Sequence, residues 1–77
     1  MEIKILGTGC AKCKTLEKMT REVVHLHGVQ ANIEKVEDIM EIMRYGVMAT
    51  PALVVDGVVV IKGRIPSTEE IKKAVGL

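Results

Sequence analysis

Aromatic side chains are nearly absent from this sequence of 77 residues, which contains one tyrosine and neither tryptophan nor phenylalanine. Proteins that bind single-stranded nucleic acid stack bases on aromatic rings, so this composition excludes such a surface. A basic excess is absent too, because 11 Lys and Arg are balanced by 10 Asp and Glu. Binding to nucleic acid or to an anionic membrane would need that excess on one face. We therefore expect neither as a partner.

Long hydrophobic runs are also missing, and the longest are the four-residue stretches Ala52–Val55 and Val58–Ile61. Neither can span a bilayer, and Met1 is followed by charged residues without the pattern of a signal peptide. Hydrophobic residues make up 48% of the sequence and charged residues 27%, which is a globular composition. We expect a single domain over residues 1–77 that is cytoplasmic and monomeric.

Cysteine is scarce, with only Cys10 and Cys13 in the whole chain. Two cysteines are too few for the disulfide framework of a small secreted protein. A disulfide closing so short a loop would stabilise the fold by roughly 2 kcal/mol in the chain-entropy model, less than a long-range bridge. Stability is therefore a poor explanation for the pair, and chemistry is a better one.

The hydrophobic periodicity predicts the element order β-α-β-α-β-β-α. The predicted strands are residues 2–6 and 29–36 and the hairpin 52–61, and the predicted helices are residues 11–27, 37–45 and 67–75. Asp56-Gly57 between two β-branched runs is a strong hairpin signal, and Ser67 with Glu70 forms a capping box. A parallel βαβ unit followed by this hairpin gives an α/β fold with a four-stranded mixed sheet. Helices on both faces would explain why both hairpin strands are continuously apolar.

Two helix faces are predicted to be buried against this sheet. They consist of Leu16, Met19, Val23 and Leu26 in the first helix and of Ile39, Met40, Ile42 and Met43 in the second. The five methionines are mostly at helical core spacing and are expected to fill an aliphatic core that has no Phe or Trp. Met48 is the exception, because its loop should approach Cys10.

The cysteine pair falls where the first strand's glycine-rich loop turns into the first helix. Cys10 is predicted near the helix N-cap, where free backbone N–H groups and the helix dipole favour a thiolate. Lys12 and Lys14 add positive charge nearby. Such a thiolate attacks disulfides near neutral pH, so we predict that Cys10 is the nucleophile and Cys13 the resolving cysteine.

With these features the sequence resembles the thioredoxin-like superfamily, and in particular its small thioredoxin- and glutaredoxin-like proteins with a redox-active disulfide. The resemblance covers essentially the whole chain, and its motifs are the Cys-x-x-Cys loop, residues 46–51, the hairpin 52–61 and Gly63. It implies a cis Pro51 beside the cysteines and a Thr50 that offers its backbone to the incoming substrate. It also implies a thiol–disulfide oxidoreductase without a cofactor, with a disulfide-containing protein as substrate and an unidentified reductase as electron donor.

The sequence departs from thioredoxins at three places around the cysteines. Gly9 stands where they have tryptophan, and Ala11-Lys12 replaces their Gly-Pro. Lys4 occupies the position, six residues before the first cysteine, where thioredoxins carry a buried acid that assists proton transfer. Residues 64–66 also lack the glutathione-binding signature of glutaredoxins, so the use of glutathione does not follow.

An alternative function starts from the same two thiolates. Gly-Thr-Gly-Cys-Ala-Lys-Cys also resembles the loop of small heavy-metal-binding domains, which bind soft ions such as Cu(I). Those domains have the order βαββαβ and end on a strand, whereas this chain is predicted to end on a helix. A carrier of Cu(I) or Zn(II) is therefore the alternative to the oxidoreductase.

Overall fold

Strands and helices follow one another in the predicted order in the computed structural model, which describes all 77 residues. The strands are β1 (Glu2–Leu6), β2 (Asn32–Val36), β3 (Ala52–Val55) and β4 (Val58–Lys62), and the helices are α1 (Ala11–Leu26), α2 (Ile39–Arg44) and α3 (Thr68–Ala74). The sheet has the order β2-β1-β3-β4, with β1 parallel to β2 and antiparallel to β3. The prediction of an α/β fold with a four-stranded mixed sheet is confirmed.

Both faces of the sheet are covered, and β3 in the interior contributes to both hydrophobic clusters. Leu53 and Val55 belong to the larger cluster, which α1 and α3 complete with residues such as Leu16 and Ile71. Ala52 and Val54 point the other way, into a smaller cluster with Ile42 of α2. Burial on both faces explains the unbroken apolar run of β3.

The same explanation is wrong for β4, which is an edge strand. Val58 is 61% exposed and Val60 is 39% exposed. Leu53 pairs with Ile61 and Val54 pairs with Val59, so Val60 is an extra residue in a β-bulge. The bulge and the missing outer neighbour leave most of β4 open to solvent, and only Ile61 is fully buried.

Two other boundaries differ from the prediction. Strand β2 begins at Asn32 rather than at residue 29, because Val29 still donates its backbone N–H to Val24 of α1. Leu26, predicted in the buried face of α1, is 77% exposed because it lies in the last turn of the helix. Thr20 is buried instead and donates its hydroxyl to the Leu16 carbonyl at 2.8 Å.

The predicted apolar face of α2 is largely solvent-exposed. The helix has six residues, and only Ile42 is buried. Met40 and Met43 are 69% and 61% exposed, and Met48 in the following loop is 96% exposed. The prediction that methionines fill the core is therefore wrong for Met40 and Met43, because so short a helix presents little more than one residue to the sheet.

None of the three helices is both long and apolar enough to cross a membrane.

Candidate active site

Cys10 occupies the N-cap of α1, as the glycine-rich loop predicts. Its backbone is extended, with φ −69° and ψ 165°, and its sulfur accepts the backbone N–H of Cys13 at 3.3 Å. An N-cap side chain normally satisfies a free N–H of the first helical turn with an oxygen atom. A cysteine sulfur performs that role here and remains exposed to solvent.

Cys13 lies one turn into α1 and is only 5% exposed. Its sulfur sits directly against the backbone of Gly7, where a Cβ atom would overlap Cys13 Sγ and lie 3.0 Å from Cys13 Cβ. Gly7 is not in a left-handed conformation, so the space occupied by the thiol is what requires glycine at this position. The Cys13 side chain therefore packs against the loop after β1.

The two thiols differ in their tendency to ionise. The pKa of Cys10 is lowered, mainly by a hydrogen bond from the Cys13 side chain and next by the Cys13 backbone N–H. The pKa of Cys13 is raised, mainly by burial and next by its side-chain hydrogen bond to Cys10. This arrangement favours a thiolate on the exposed sulfur and a thiol on the buried one.

The lysine charges that were predicted to stabilise the Cys10 thiolate contribute less to its lowered pKa than expected. Lys12 contributes to the lowered pKa through its backbone N–H, and the ammonium groups of Lys12 and Lys14 are not among the leading causes. Hydrogen bonds at the start of α1 therefore replace lysine charge as the explanation, in agreement with the unsatisfied N–H groups of a helix N-terminus.

Thr50 and Pro51 are brought to the cysteine loop by the chain that enters β3. The peptide bond between them is cis, as the resemblance implies, and Pro51 is buried. The Pro51 carbonyl accepts the N–H of Gly63 at 2.8 Å. Thr50 Cβ lies 4.0 Å from the position that a Cβ atom of Gly7 would take. Of the four site residues predicted from the sequence, Cys10, Cys13 and Thr50 thus lie around one loop, and Pro51 follows Thr50 through the cis bond.

An apolar groove beside this loop was not predicted from the sequence. It has a volume of about 360 Å³ and lies between Thr8 and Thr50 on one side and α2 with its following loop on the other. Its apolar walls are Ile39, Ile42, Met43, Val47 and Met48. Two of its exposed members, Ile39 and Met43, are among those the periodicity assigned to the core, and Met48 is in the loop that was expected to approach Cys10. The groove could have been predicted from the shortness of α2, because so short a helix cannot bury so many apolar residues.

No group of three or more His, Cys, Asp or Glu side chains is arranged to hold a metal ion. The site therefore offers a soft metal only the two thiolates.

The fold and the site together define a class, an α/β domain with a dithiol at the start of its first helix. The chain matches the thioredoxin domain family over residues 1–76. It is 49% identical over 73 residues to a thioredoxin of Methanothermobacter thermautotrophicus, a match that covers 95% of each chain. It is 44% identical over 71 residues to a thioredoxin of Methanocaldococcus jannaschii, covering 92% of this chain and 81% of the relative.

This protein belongs to the thioredoxin domain family, and at the level of that family it is a thiol–disulfide oxidoreductase. The alternative of a soft-metal carrier finds no support in the family or in these relatives.

The two cysteines should differ strongly in their rate of alkylation. In the reduced protein at pH 7 we expect iodoacetamide to modify Cys10 much faster than Cys13, because the lowered pKa of Cys10 and the raised pKa of Cys13 give the exposed sulfur the larger thiolate population. Burial of Cys13 adds to this difference. Peptide mapping by mass spectrometry after short exposures measures both rates in one sample. Equal rates in the folded protein would contradict the assignment, and urea-unfolded protein is the control in which the rates should converge.

Proposed function

We propose that this protein reduces disulfide bonds in other proteins through Cys10 and Cys13. The Cys10 thiolate attacks one sulfur of the substrate disulfide, which forms a mixed disulfide and releases the first substrate thiolate. Cys13 then attacks Cys10 Sγ, closes the Cys10–Cys13 disulfide and releases the second substrate thiolate. Two electrons pass from the dithiol to the substrate. The observation that carries the proposal is an exposed Cys10 sulfur that accepts the backbone N–H of a buried Cys13 at 3.3 Å.

The surroundings of Cys10 support a protein as the substrate. The groove beside Thr8 and Thr50 is lined mainly by apolar side chains, and Met48 at its rim is almost fully exposed. Methionine adapts its shape to different apolar partners, which suits a surface that binds varied polypeptides. In this proposal Thr50 and Pro51 bind the substrate chain next to its disulfide, and the groove binds an apolar side chain that flanks it.

The oxidised protein must receive two electrons before it can act again. A reductase supplies them, and its identity is not encoded in any feature of the site. The cytoplasmic location expected from the sequence stays a prediction, which immunodetection in fractionated cells would test.

Turnover of a protein disulfide tests the proposal directly. A small amount of the purified protein, kept reduced by dithiothreitol, should reduce a two-chain protein with interchain disulfides much faster than dithiothreitol alone. Turbidity from the freed, insoluble chain reports the rate. The matched control is the same protein with both thiols blocked by iodoacetamide, which should have no effect. Equal rates with the active and the blocked protein would refute the proposed function.

A further inference from the structure

A small surface cavity with charged residues around it lies beside the buried cysteine. It has a volume of about 80 Å³ and reaches Cys13, Gly7 and Gly9. Its charged walls come from two elements, with Lys14 and Glu17 from α1 and Lys35 and Glu37 from β2 and the residue after it. A water molecule requires roughly 10–15 Å³ measured in this way together with polar partners, so the cavity has room for water beside the Cys13 thiol.

The resolving step needs an acceptor for the proton of Cys13. In the reduced protein, burial and the neighbouring Cys10 sulfur raise the pKa of that thiol. In the mixed disulfide the Cys10 sulfur is bonded to the substrate and no longer carries the charge that holds this proton. Cys13 must nevertheless become a thiolate to attack. Lys4, at the position where thioredoxins carry an acid, lines a different pocket together with Tyr45 and has no access to this cavity.

Of the two carboxylates in the cavity, Glu17 is already engaged. It forms ion pairs with Arg21 at 3.0 Å and with Lys35 at 3.8 Å. Glu37 takes part in none of the ion pairs or side-chain hydrogen bonds of the protein, which leaves its oxygen atoms free to accept a proton.

Glu37 is held at the cavity by the parallel pairing of β1 and β2. Leu6 is in register with Val36, and the N–H of Gly7 donates to the Val36 carbonyl at 2.9 Å, so the next residue lies beside the cysteine loop. A Cβ atom at Gly9 would lie 3.5 Å from Glu37 Oε2. Gly9, Cys13 and Glu37 line the cavity together. Gly9 therefore separates the carboxylate from the thiol by a single small residue.

We propose that Glu37 accepts the proton of Cys13, through water in this cavity, as Cys13 attacks the mixed disulfide. The inference rests on the proposed function and adds to it the group that serves the second step. The Cys13 S–H bond breaks and its proton passes to the Glu37 carboxylate. The Cys13 thiolate forms the bond to Cys10 Sγ, and the bond between Cys10 and the substrate sulfur breaks. The departing substrate thiolate then takes a proton from solvent or from Glu37, which restores the carboxylate.

The other charged groups around the cavity do not replace this acceptor. Lys14 and Lys35 are ammonium groups with no lone pair to accept a proton, and Glu17 is paired with Lys35 at 3.8 Å.

A stopped-flow experiment can separate the attack by Cys10 from the attack by Cys13. Its substrate is a symmetric aromatic disulfide whose released thiolate absorbs visible light. Attack by Cys10 releases the first coloured thiolate, and attack by Cys13 releases the second. For Glu37→Gln we expect an unchanged first phase and a second phase slowed at pH 7 by roughly a hundredfold, the lower end of the contribution of a positioned base. The deficit should shrink as pH rises, because hydroxide then removes the proton. Glu37→Asp should recover part of the rate.

Glu34→Gln is the matched control, since it removes the same charge three residues earlier, within β2, at a residue outside the cavity. It should leave both phases unchanged. A second phase of Glu37→Gln with the wild-type rate and pH profile would overturn the role of Glu37, as would an equal slowing of both phases, which indicates a structural defect. If the wild-type protein shows no first phase, the proposed function itself fails.

Discussion

Replacing Cys13 with serine should convert the protein into a covalent trap for its substrates. The first attack by Cys10 stays possible, but the intramolecular release is lost. An effective molarity for well-oriented groups reaches about 10⁵ M or more, so a solution thiol at millimolar concentration replaces Cys13 poorly. The mixed disulfide should therefore persist longer by several orders of magnitude. Adducts that disappear on treatment with dithiothreitol, seen on non-reducing gels after incubation with a disulfide-bonded protein, measure the effect.

Cys10→Ser is the matched control for this experiment, because it also removes one thiol from the same loop. It should give few adducts and no turnover, since Cys13 is buried and holds its proton. A soft-metal carrier predicts another outcome, in which both variants lose one ligand, weaken Cu(I) binding alike and trap no protein. If neither variant gives an adduct, the oxidoreductase mechanism is wrong.

Adding one methyl group at Gly7 should both destabilise the fold and disturb the resolving cysteine. In Gly7→Ala the new Cβ overlaps Cys13 Sγ, and overpacking of this kind costs about 1–3 kcal/mol of unfolding free energy. The backbone itself accepts alanine, because Gly7 has no positive φ. Urea denaturation measures the loss of stability. Alkylation of Cys13 should also become faster, because the new methyl group displaces its sulfur from the buried position against residue 7.

A double-mutant cycle assigns this cost to the sulfur atom. In a Cys13→Ala background the overlapping atom is gone, so Gly7→Ala should lose most of its cost. Alanine at a position that tolerates its backbone conformation can even stabilise by about 0.4–1 kcal/mol through the unfolded state. An unchanged cost in that background would show that the Gly7 backbone, and not the cysteine, makes alanine unfavourable.

Features encoded by neighbouring residues could be predicted from the sequence. The hairpin follows from Asp56-Gly57, and the structure places both residues at positive φ in the turn between β3 and β4. The start of α3 follows from Ser67 and Glu70, which form the complete capping box. Cys10 at the N-cap of α1 follows from the glycine-rich loop before it. Each of these signals acts over a few residues and needs no knowledge of the tertiary structure.

Features that depend on distant neighbours could not be predicted in the same way. Hydrophobic spacing identifies an apolar face of a helix but not what packs against that face. It therefore predicts that Met40 and Met43 are buried, whereas α2 is so short that both are exposed. The edge position of β4 and its bulge depend on pairing with β3. Glu37 reaches the cavity of Cys13 only through the register between β1 and β2, which no local pattern records.

The central place of β1 in the sheet has a consequence for synthesis on the ribosome. Its parallel neighbour β2 follows after one helix, but its other neighbour β3 pairs Val55 with Ile3 and is made much later. At translation rates of roughly 5–20 residues per second, the growing chain exposes the second edge of β1 for seconds before β3 emerges. An open edge in a nascent chain invites pairing with the wrong strand. Lys4, in the middle of β1, carries a charge throughout this interval, and charged side chains are one means by which proteins discourage association between exposed strands.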